Sequence, residues 1–553
     1  MIRKVVIRRF KRFANQEFEF PGNIVLAGPN NMGKTTLLQA ISTWHLSLNQ
    51  WKMLNDFQRH KGAYPYKPIT RQTFSAVPLS TFELLWKERL YNGSVEIQVQ
   101  SDEGWDVTME LISDTTEQVL VRPKPTADPD MLRSATLDVV FVPPMTGLST
   151  DEPVYQPPYL EARLGMARPG EVLRNLLLTA HQSGGGWQQL QESIKDLFGY
   201  ELLPPNGRGA YIIAEYRERA GGPNLDIASG GSGFQQILML LTFLSTRPAS
   251  VLLLDEPDAH LHVILQDAIF GELRRVAAEQ KSQLVIATHS EKIINAVEPT
   301  LLYAMVNQPR LLATSEDQRN LIRYLGCLSN VDIMLAADAP GVLYTEDYTD
   351  LEILRAWAKV LNHPAYATLT TKLFWERTVI QPREGAEGIS AKEHYEALKL
   401  VRGDLPGLEL VDGDAHPEKK STPITGHGLQ RLRWTRYEIE SYLIHPEALG
   451  RFIENQLGPG GFSAEAKKEL REYLVKTFTP EFVDDPLGDH PLVEAYLEKR
   501  KARTEVLPPI LRAGGLPGFP YTRYSEIAAV MQPDEIHPEV KEKLDLIQKA
   551  FGL

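Results

Sequence analysis

Gly28-Pro29-Asn30-Asn31-Met32-Gly33-Lys34-Thr35 matches the phosphate-binding pattern G-x-x-x-x-G-K-[ST] at every fixed position. Glycines let successive backbone N–H groups turn toward a polyphosphate, the helix that starts next adds the positive end of its dipole, and Lys34 adds a point charge. The Thr35 hydroxyl suits Mg2+, and Asn31, Gly33 and Thr36 complete the set expected to face the phosphates of ATP. A glycine turn merely joining a strand to a helix is the alternative. The apolar stretch 24–27 before the loop and Leu37, Leu38 and Ile41 after it favour a nucleotide.

Further along, Val251-Leu252-Leu253-Leu254 runs into Asp255-Glu256-Pro257-Asp258. An unbroken apolar run belongs to a strand buried on both faces of a parallel sheet, whose C-terminal end opens on the ligand crevice. There Asp255 would enter the Mg2+ shell and Glu256 would polarise the attacking water. The next such strand, 284–288, ends in His289, which puts an imidazole beside the same crevice. Between these motifs and the loop, Ser229-Gly230-Gly231 opens a helix with Phe234, Ile237, Leu238 and Leu241 on its apolar side. That helix start suits an anion, or is only the cap of a core helix.

A second set of acids begins at Glu346, after the apolar stretch 341–345, with Asp350 at the start of a helix spanning 351–360. Leu408-Glu409-Leu410-Val411 ends in Asp412-Gly413-Asp414, and Glu438 and Glu440 follow a short strand at 431–435. Six carboxylates at strand ends and helix starts of one αβ unit repel unless cations neutralise them, and such oxygen-rich sets suit Mg2+ or Mn2+. Two-metal hydrolysis of a phosphodiester uses such a set, with Glu346, Asp412 and Asp414 as its catalytic members. The alternative is that Asp350 caps its helix and Asp412 and Asp414 sit in an ordinary turn.

The elements that must position these residues read as α/β. Val5 and Ile7 against Phe18 and Phe20 form a hairpin before the loop, and Val95, Ile97 and Val99 return through 101–104 to Val107, Met109 and Leu111. A strand at 137–142 is stopped by proline. Residues 146–169 read as an exposed proline-rich connection leading to helices at 171–181 and 187–198 and a strand at 211–214. No heptads, internal repeats or low-complexity tracts interrupt the pattern.

With 553 residues the chain supports several domains. Cys327 is the only cysteine, which excludes an intrachain disulfide and a cysteine zinc ribbon and suits a reducing cytosol. The charged N-terminal stretch is not expected to be a signal peptide, and the longest apolar candidate, 237–244, is too short for a membrane span. A cytoplasmic protein with no membrane partner is expected. A net charge of −12 argues against coating DNA by charge alone, although basic clusters at Arg8/Arg9/Lys11/Arg12, Arg431/Arg433/Arg436 and Lys499/Arg500/Lys501/Arg503 allow local phosphate contacts.

The order phosphate loop, Ser-Gly-Gly turn, Asp-Glu strand end, Asp258 and strand-end His289 resembles the ATP-binding-cassette ATPase head shared by chromosome-maintenance and double-strand-break-repair ATPases. The resemblance implies that Ser229, Gly230 and Gly231 bind the γ-phosphate of a nucleotide held by a partner copy, so that ATP is sandwiched in a homodimer or higher oligomer. It further implies that Asp258 lies at the dimer contact and His289 senses the γ-phosphate. The strand-end Glu346 followed by Asp412-x-Asp414 is similar to the Toprim fold of topoisomerases, primases and some nucleases. Together, residues 1 to about 445 resemble the OLD family of ATP-dependent nucleases, related to the Gabija antiphage nuclease subunit. Asp347 stands where that family usually has glycine.

The expected architecture is therefore an ABC-type P-loop ATPase head over 1–330 with a helical insert near 146–205, a Toprim nuclease domain over 331–445, and a helical C-terminal extension over 446–553. The expected activity is ATP hydrolysis coupled to metal-dependent cleavage of DNA in antiphage defence. The family leaves room for a separately encoded defence partner. The rival is an ATP-switched repair clamp or remodeller whose Toprim unit does not cut.

Overall fold

The computed structural model describes residues 1–553 apart from 75, 78, 92, 143–146, 166–167, 185, 260, 262, 372, 381–387, 414–420, 423–427 and 552–553. They form two compact units, Met1–Leu325 and Gly326–Leu553.

Among the described residues the first unit is built on two six-stranded sheets. One runs in the order Arg310–Leu311, Leu302–Ala304, Ile24–Ala27, Gln283–Thr288, Val251–Asp255, Val139–Val142, and its strands are parallel except for Arg310–Leu311. Val251 to Leu254 are at most 1% exposed, each contributing about 1.5–3 kcal/mol of burial. That is why the run carries no polar residue until its end.

The other sheet is antiparallel, in the order Phe13–Glu19, Ile2–Phe10, Val95–Ser101, Asp106–Ser113, Gln118–Pro123, Lys67–Thr70. The helix Lys34–Lys52 packs against both sheets, burying Leu37, Leu38, Ile41, Trp44, Leu48 and Trp51. Trp44 stacks on Trp105 and donates its indole N–H to the Val107 carbonyl at 2.8 Å, which ties the phosphate-loop helix to the antiparallel sheet.

The helices Leu173–Ser183 and Trp187–Phe198 pack on Ser232–Thr246, the helix that follows the Ser-Gly-Gly turn. The strand expected at 211–214 is displaced. The β-pairing of its residues is limited to the Asn206–Ile213 bridge, and the strand is Glu215–Arg217, paired on both sides.

The second unit has a four-stranded parallel sheet in the order Phe374–Arg377, Val342–Thr345, Gly407–Val411, Leu429–Arg433. One core joins Leu343, Leu408 and Trp357 of the sheet region to Leu449, Leu507, Ile527, Leu544 and Ile547 of the later helices. Phe551 packs against Gly341, where a Cβ would lie 2.2 Å from its ring. No helix among the described residues is long and apolar enough to cross a membrane.

Candidate ATP site and carboxylate cluster

Ile24–Ala27 delivers the chain to the phosphate loop at the C-terminal end of the parallel sheet. Gly33 sits at φ 96°, in the left-handed region, and a Cβ there would lie 2.8 Å from Arg12 and Phe13 of the N-terminal hairpin, so the turn requires glycine. Asn31 also has positive φ, at 63°. Lys34 is buried, and its Nζ donates to the Gly28 and Pro29 carbonyls at 2.6 and 3.0 Å. Burial lowers its pKa, while Glu256, Asp255 and Asp258 pull the other way. Thr36 is half-buried beside Thr35 in the first turn of the helix.

The Thr35 hydroxyl lies 3.0 and 2.9 Å from the two Asp255 oxygens. Burial raises the Asp255 carboxyl to about 6, with the Thr35 hydrogen bond opposing and Glu256 adding to the rise. A hydroxyl and a buried carboxylate meeting at the edge of a phosphate loop are the donor set that holds Mg2+ with a nucleotide, so these residues fit the ion.

Glu256 adopts φ 48°, uncommon for a side chain, and its N–H donates to the Ala287 carbonyl at 2.8 Å. Its carboxylate lies 3.4 Å from His289 Nδ1. That pairing lowers the Glu256 pKa and raises that of His289, which favours the ionised carboxylate beside a protonated imidazole. Asp258 is buried and accepts the Thr288 hydroxyl at 2.7 Å; burial raises its pKa. Ser229 and Gly231 are exposed and Gly230 half-buried, while the Ser229 hydroxyl donates to the Asp226 carbonyl at 2.6 Å.

In the second unit Glu346 and Asp412 follow directly on the parallel strands Val342–Thr345 and Gly407–Val411, and the Asp412 N–H donates to Glu346 Oε1 at 3.5 Å. A Cβ on Gly413 would lie 2.1 Å from the Arg436 carbonyl, and the Gly413 N–H donates to Tyr437 at 3.0 Å. Only glycine permits that approach, which brings the Glu438–Glu440 stretch to Asp412. Burial, then Glu346, Asp350, Glu440 and Glu438, push the Asp412 carboxyl to about 9. Asp350 is raised to about 7 by burial and Glu440. Glu438 is raised by burial, although the Arg503 N–H opposes this at 2.9 Å.

The geometry modifies the expected metal set. Among the described residues no three His, Cys, Asp or Glu side chains are grouped to hold a metal ion. Asp350 forms a reciprocal cap with Asp347 at the start of Tyr348–Val360, so part of its hydrogen-bonding capacity is engaged. Arg503 fills the role of the cation. Its Nε donates to Glu440 at 2.8 Å, and its other nitrogens lie 3.6 Å from Asp350 and 3.9 Å from Asp347. Glu440 Oε2 nonetheless remains buried with no hydrogen-bond partner, the type of oxygen that a hard cation takes. Asp414 lies outside the described residues. Sequence reasoning missed Arg503 as a member of this cluster, reading it only within the basic run 499–503.

Residues 147–295 match the family described as "AAA domain, putative AbiEii toxin, Type IV TA system". The match begins beyond the phosphate loop and contains Ser229, Asp255, Glu256 and His289. No curated protein matches the chain. Among solved structures the chain is similar to an Smc head bound to the C-winged helix domain of ScpA, at 15% identity over 57% of this chain and 99% of that one, TM-score 0.37. It is also similar to the SMC head domain from Thermotoga maritima, at 14% identity over 57% and 99%, TM-score 0.32. A third is the Pyrococcus furiosus Smc head with an extended coiled coil bound to the C-terminal domain of ScpA, at 14% over 58% and 98%, TM-score 0.38. The phosphate loop, the Asp-Glu strand end and the strand-end histidine stand at the same end of one parallel sheet, and the family match covers the last two of these within the first unit.

Proposed function

We propose that the chain is an ATP-dependent, divalent-metal-dependent DNA endonuclease of the OLD type, acting in the cytoplasm in antiphage defence, with its ATPase heads paired so that Ser229, Gly230 and Gly231 meet the partner's nucleotide. The observation that carries the nuclease reading is the convergence of Glu346, Asp350, Asp412, Glu438 and Glu440 at the ends of parallel strands, with Asp412 pushed up to about 9 and a Glu440 oxygen buried without a partner. Structural carboxylates are seldom left so poorly compensated. A strand-end glutamate followed by a strand-end aspartate on a four-stranded parallel sheet supports a Toprim unit.

In the ATPase, Lys34 and the loop N–H groups would bind the phosphates, Thr35 and Asp255 would hold Mg2+, and Glu256, kept ionised by His289, would accept a proton from the attacking water. In the second unit Asp412, Asp414, Glu346 and Glu438 or Glu440 would hold Mg2+ or Mn2+, which when bound supplies charge to stabilise the attacking and leaving oxygens of a phosphodiester. Arg503 would have to release part of this set, and its cationic head would then be available to a DNA phosphate.

One observation favours the rival, an ATP-switched clamp with a non-cutting second unit: no three-ligand group exists among the described residues. Incubating the purified chain with supercoiled plasmid, with and without Mg2+, Mn2+ and ATP, decides between them. Nicking that requires metal supports the nuclease. No cleavage in any combination, with ATP hydrolysis intact, supports the clamp.

A further inference from the structure

The helix Leu173–Ser183 has no side-chain cap from its own N-cap residue, Val172. Glu152, fully buried, caps it from the preceding connection. One of its oxygens accepts the Asn175 N–H at 2.7 Å and Asn175 Nδ2 at 2.6 Å, and the other accepts the Arg174 N–H at 3.0 Å. Arg174, 2% exposed, then joins this helix to three other segments. Its Nη1 and Nη2 donate to the two Asp226 oxygens at 2.9 and 2.7 Å, Nε donates to the Ser149 carbonyl at 3.2 Å, and Nη1 reaches the Ile212 carbonyl at 3.4 Å.

Asp226 is the residue from which the Ser-Gly-Gly turn hangs. Its carboxylate accepts the Ala228 N–H at 2.8 Å, and its carbonyl accepts the Ser229 hydroxyl at 2.6 Å. A bidentate guanidinium fixes a carboxylate in both distance and plane, which a single ammonium cannot do. An ion pair whose carboxylate is half exposed adds little net stability, so direction rather than stability is what it supplies. Asp226 is 45% exposed at its side chain, and the turn it carries is exposed at Ser229 and Gly231.

We propose that Arg174 is a positioning residue for the Ser-Gly-Gly turn, holding it in the orientation that engages the nucleotide of a second copy of the chain. Through it, the segment from Ser149 to Asn175 controls ATP hydrolysis in trans. The inference rests on the reading that Ser229, Gly230 and Gly231 act on a partner's nucleotide.

The test mixes full-length variants. Arg174→Met keeps its own phosphate loop and is expected to bind a fluorescent ATP analogue with Kd within about twofold of the parent, while kcat falls about tenfold or more. Lys34→Ala lacks nucleotide binding but retains an intact turn. Mixing the two pairs a working loop with a working turn, and random pairing should restore about a quarter of the parental rate. Arg174→Lys should be intermediate. A general folding defect in Arg174→Met is not rescued by mixing, so recovery reports positioning. If Arg174→Met does not fold, Asp226→Asn replaces it in the same mixture. Parental turnover in Arg174→Met overturns the inference, as does a loss that Lys34→Ala fails to restore while Ser229→Ala is restored in a parallel mixture. Should Ser229→Ala hydrolyse at the parental rate alone, the trans reading itself fails and the inference fails with it.

Discussion

The Thr35 hydroxyl and the Asp255 carboxylate, 220 positions apart, lie within 3.0 Å of each other at the phosphate loop. The pair joins the start of the helix Lys34–Lys52 to the end of the buried strand Val251–Asp255, so this hydroxyl–carboxylate contact exists only in the folded sheet. Lys34 lies in the same turn, with three acids contributing to its field.

Lys34→Ala should reduce ATP hydrolysis about 100-fold or more, because it removes the charge facing the β- and γ-phosphates. Phosphate release by the purified variant checks this, and a parental rate would remove Lys34 from the site.

Glu256→Gln should bind ATP with near-parental affinity and turn over about 100-fold more slowly, since the amide cannot accept the proton of water. Its paired heads should persist in ATP, visible as a long-lived larger species by size-exclusion chromatography with light scattering. Normal turnover would show that Glu256 is not the water-polarising group.

That Thr35, Asp255, Glu256 and His289 face one crevice was legible in the sequence, because each motif is contiguous and the parallel-sheet rule sends strand ends to one side. Glu256 and His289 end strands that the apolar runs identify but do not order, and it is the pairing of Val251–Asp255 with Gln283–Thr288 that brings them together. Arg503 was not legible. It lies 63 positions from Glu440, and Lys499, Arg500 and Lys501 beside it make a solvated face the ordinary reading. The covering of the second sheet by helices after Pro446 was equally hidden, since periodicity reveals an apolar face but not what it packs against. The strand misplaced at 211–214 shows how little a short apolar stretch says about its own pairing.

Asp412→Asn, alone or with Asp414→Asn, should abolish metal-dependent nicking and leave ATP hydrolysis unchanged. It should also raise metal-free stability near neutral and alkaline pH. A carboxyl raised from about 4 when unfolded to about 9 when folded contributes stability that is fully present below pH 4 and lost as pH rises through 9. The neutral amide has no such loss, so the parent's fall in Tm across that window should be shallower in the variant. Identical profiles would show that Asp412 is not held protonated by the cluster.

Arg503→Ala should destabilise the second unit by about 3 kcal/mol, because Glu440 is fully buried and loses its charged donor. Adding Asp412→Asn should recover part of that loss, giving a coupling energy of about 1 kcal/mol in a double-mutant cycle by chemical denaturation. Strict additivity would mean that the two groups do not share one electrostatic field.

The packing of Phe551 on Gly341 sets a timetable for biosynthesis. The ribosome releases the unit Met1–Leu325 first. The second sheet leaves the tunnel with its core uncovered and, at ordinary elongation rates, stays so for on the order of ten seconds until the covering helices emerge. The phosphate loop therefore emerges on a nascent chain whose acidic cluster still lacks Arg503, and chaperones and proteases meet the second unit while its core is uncovered.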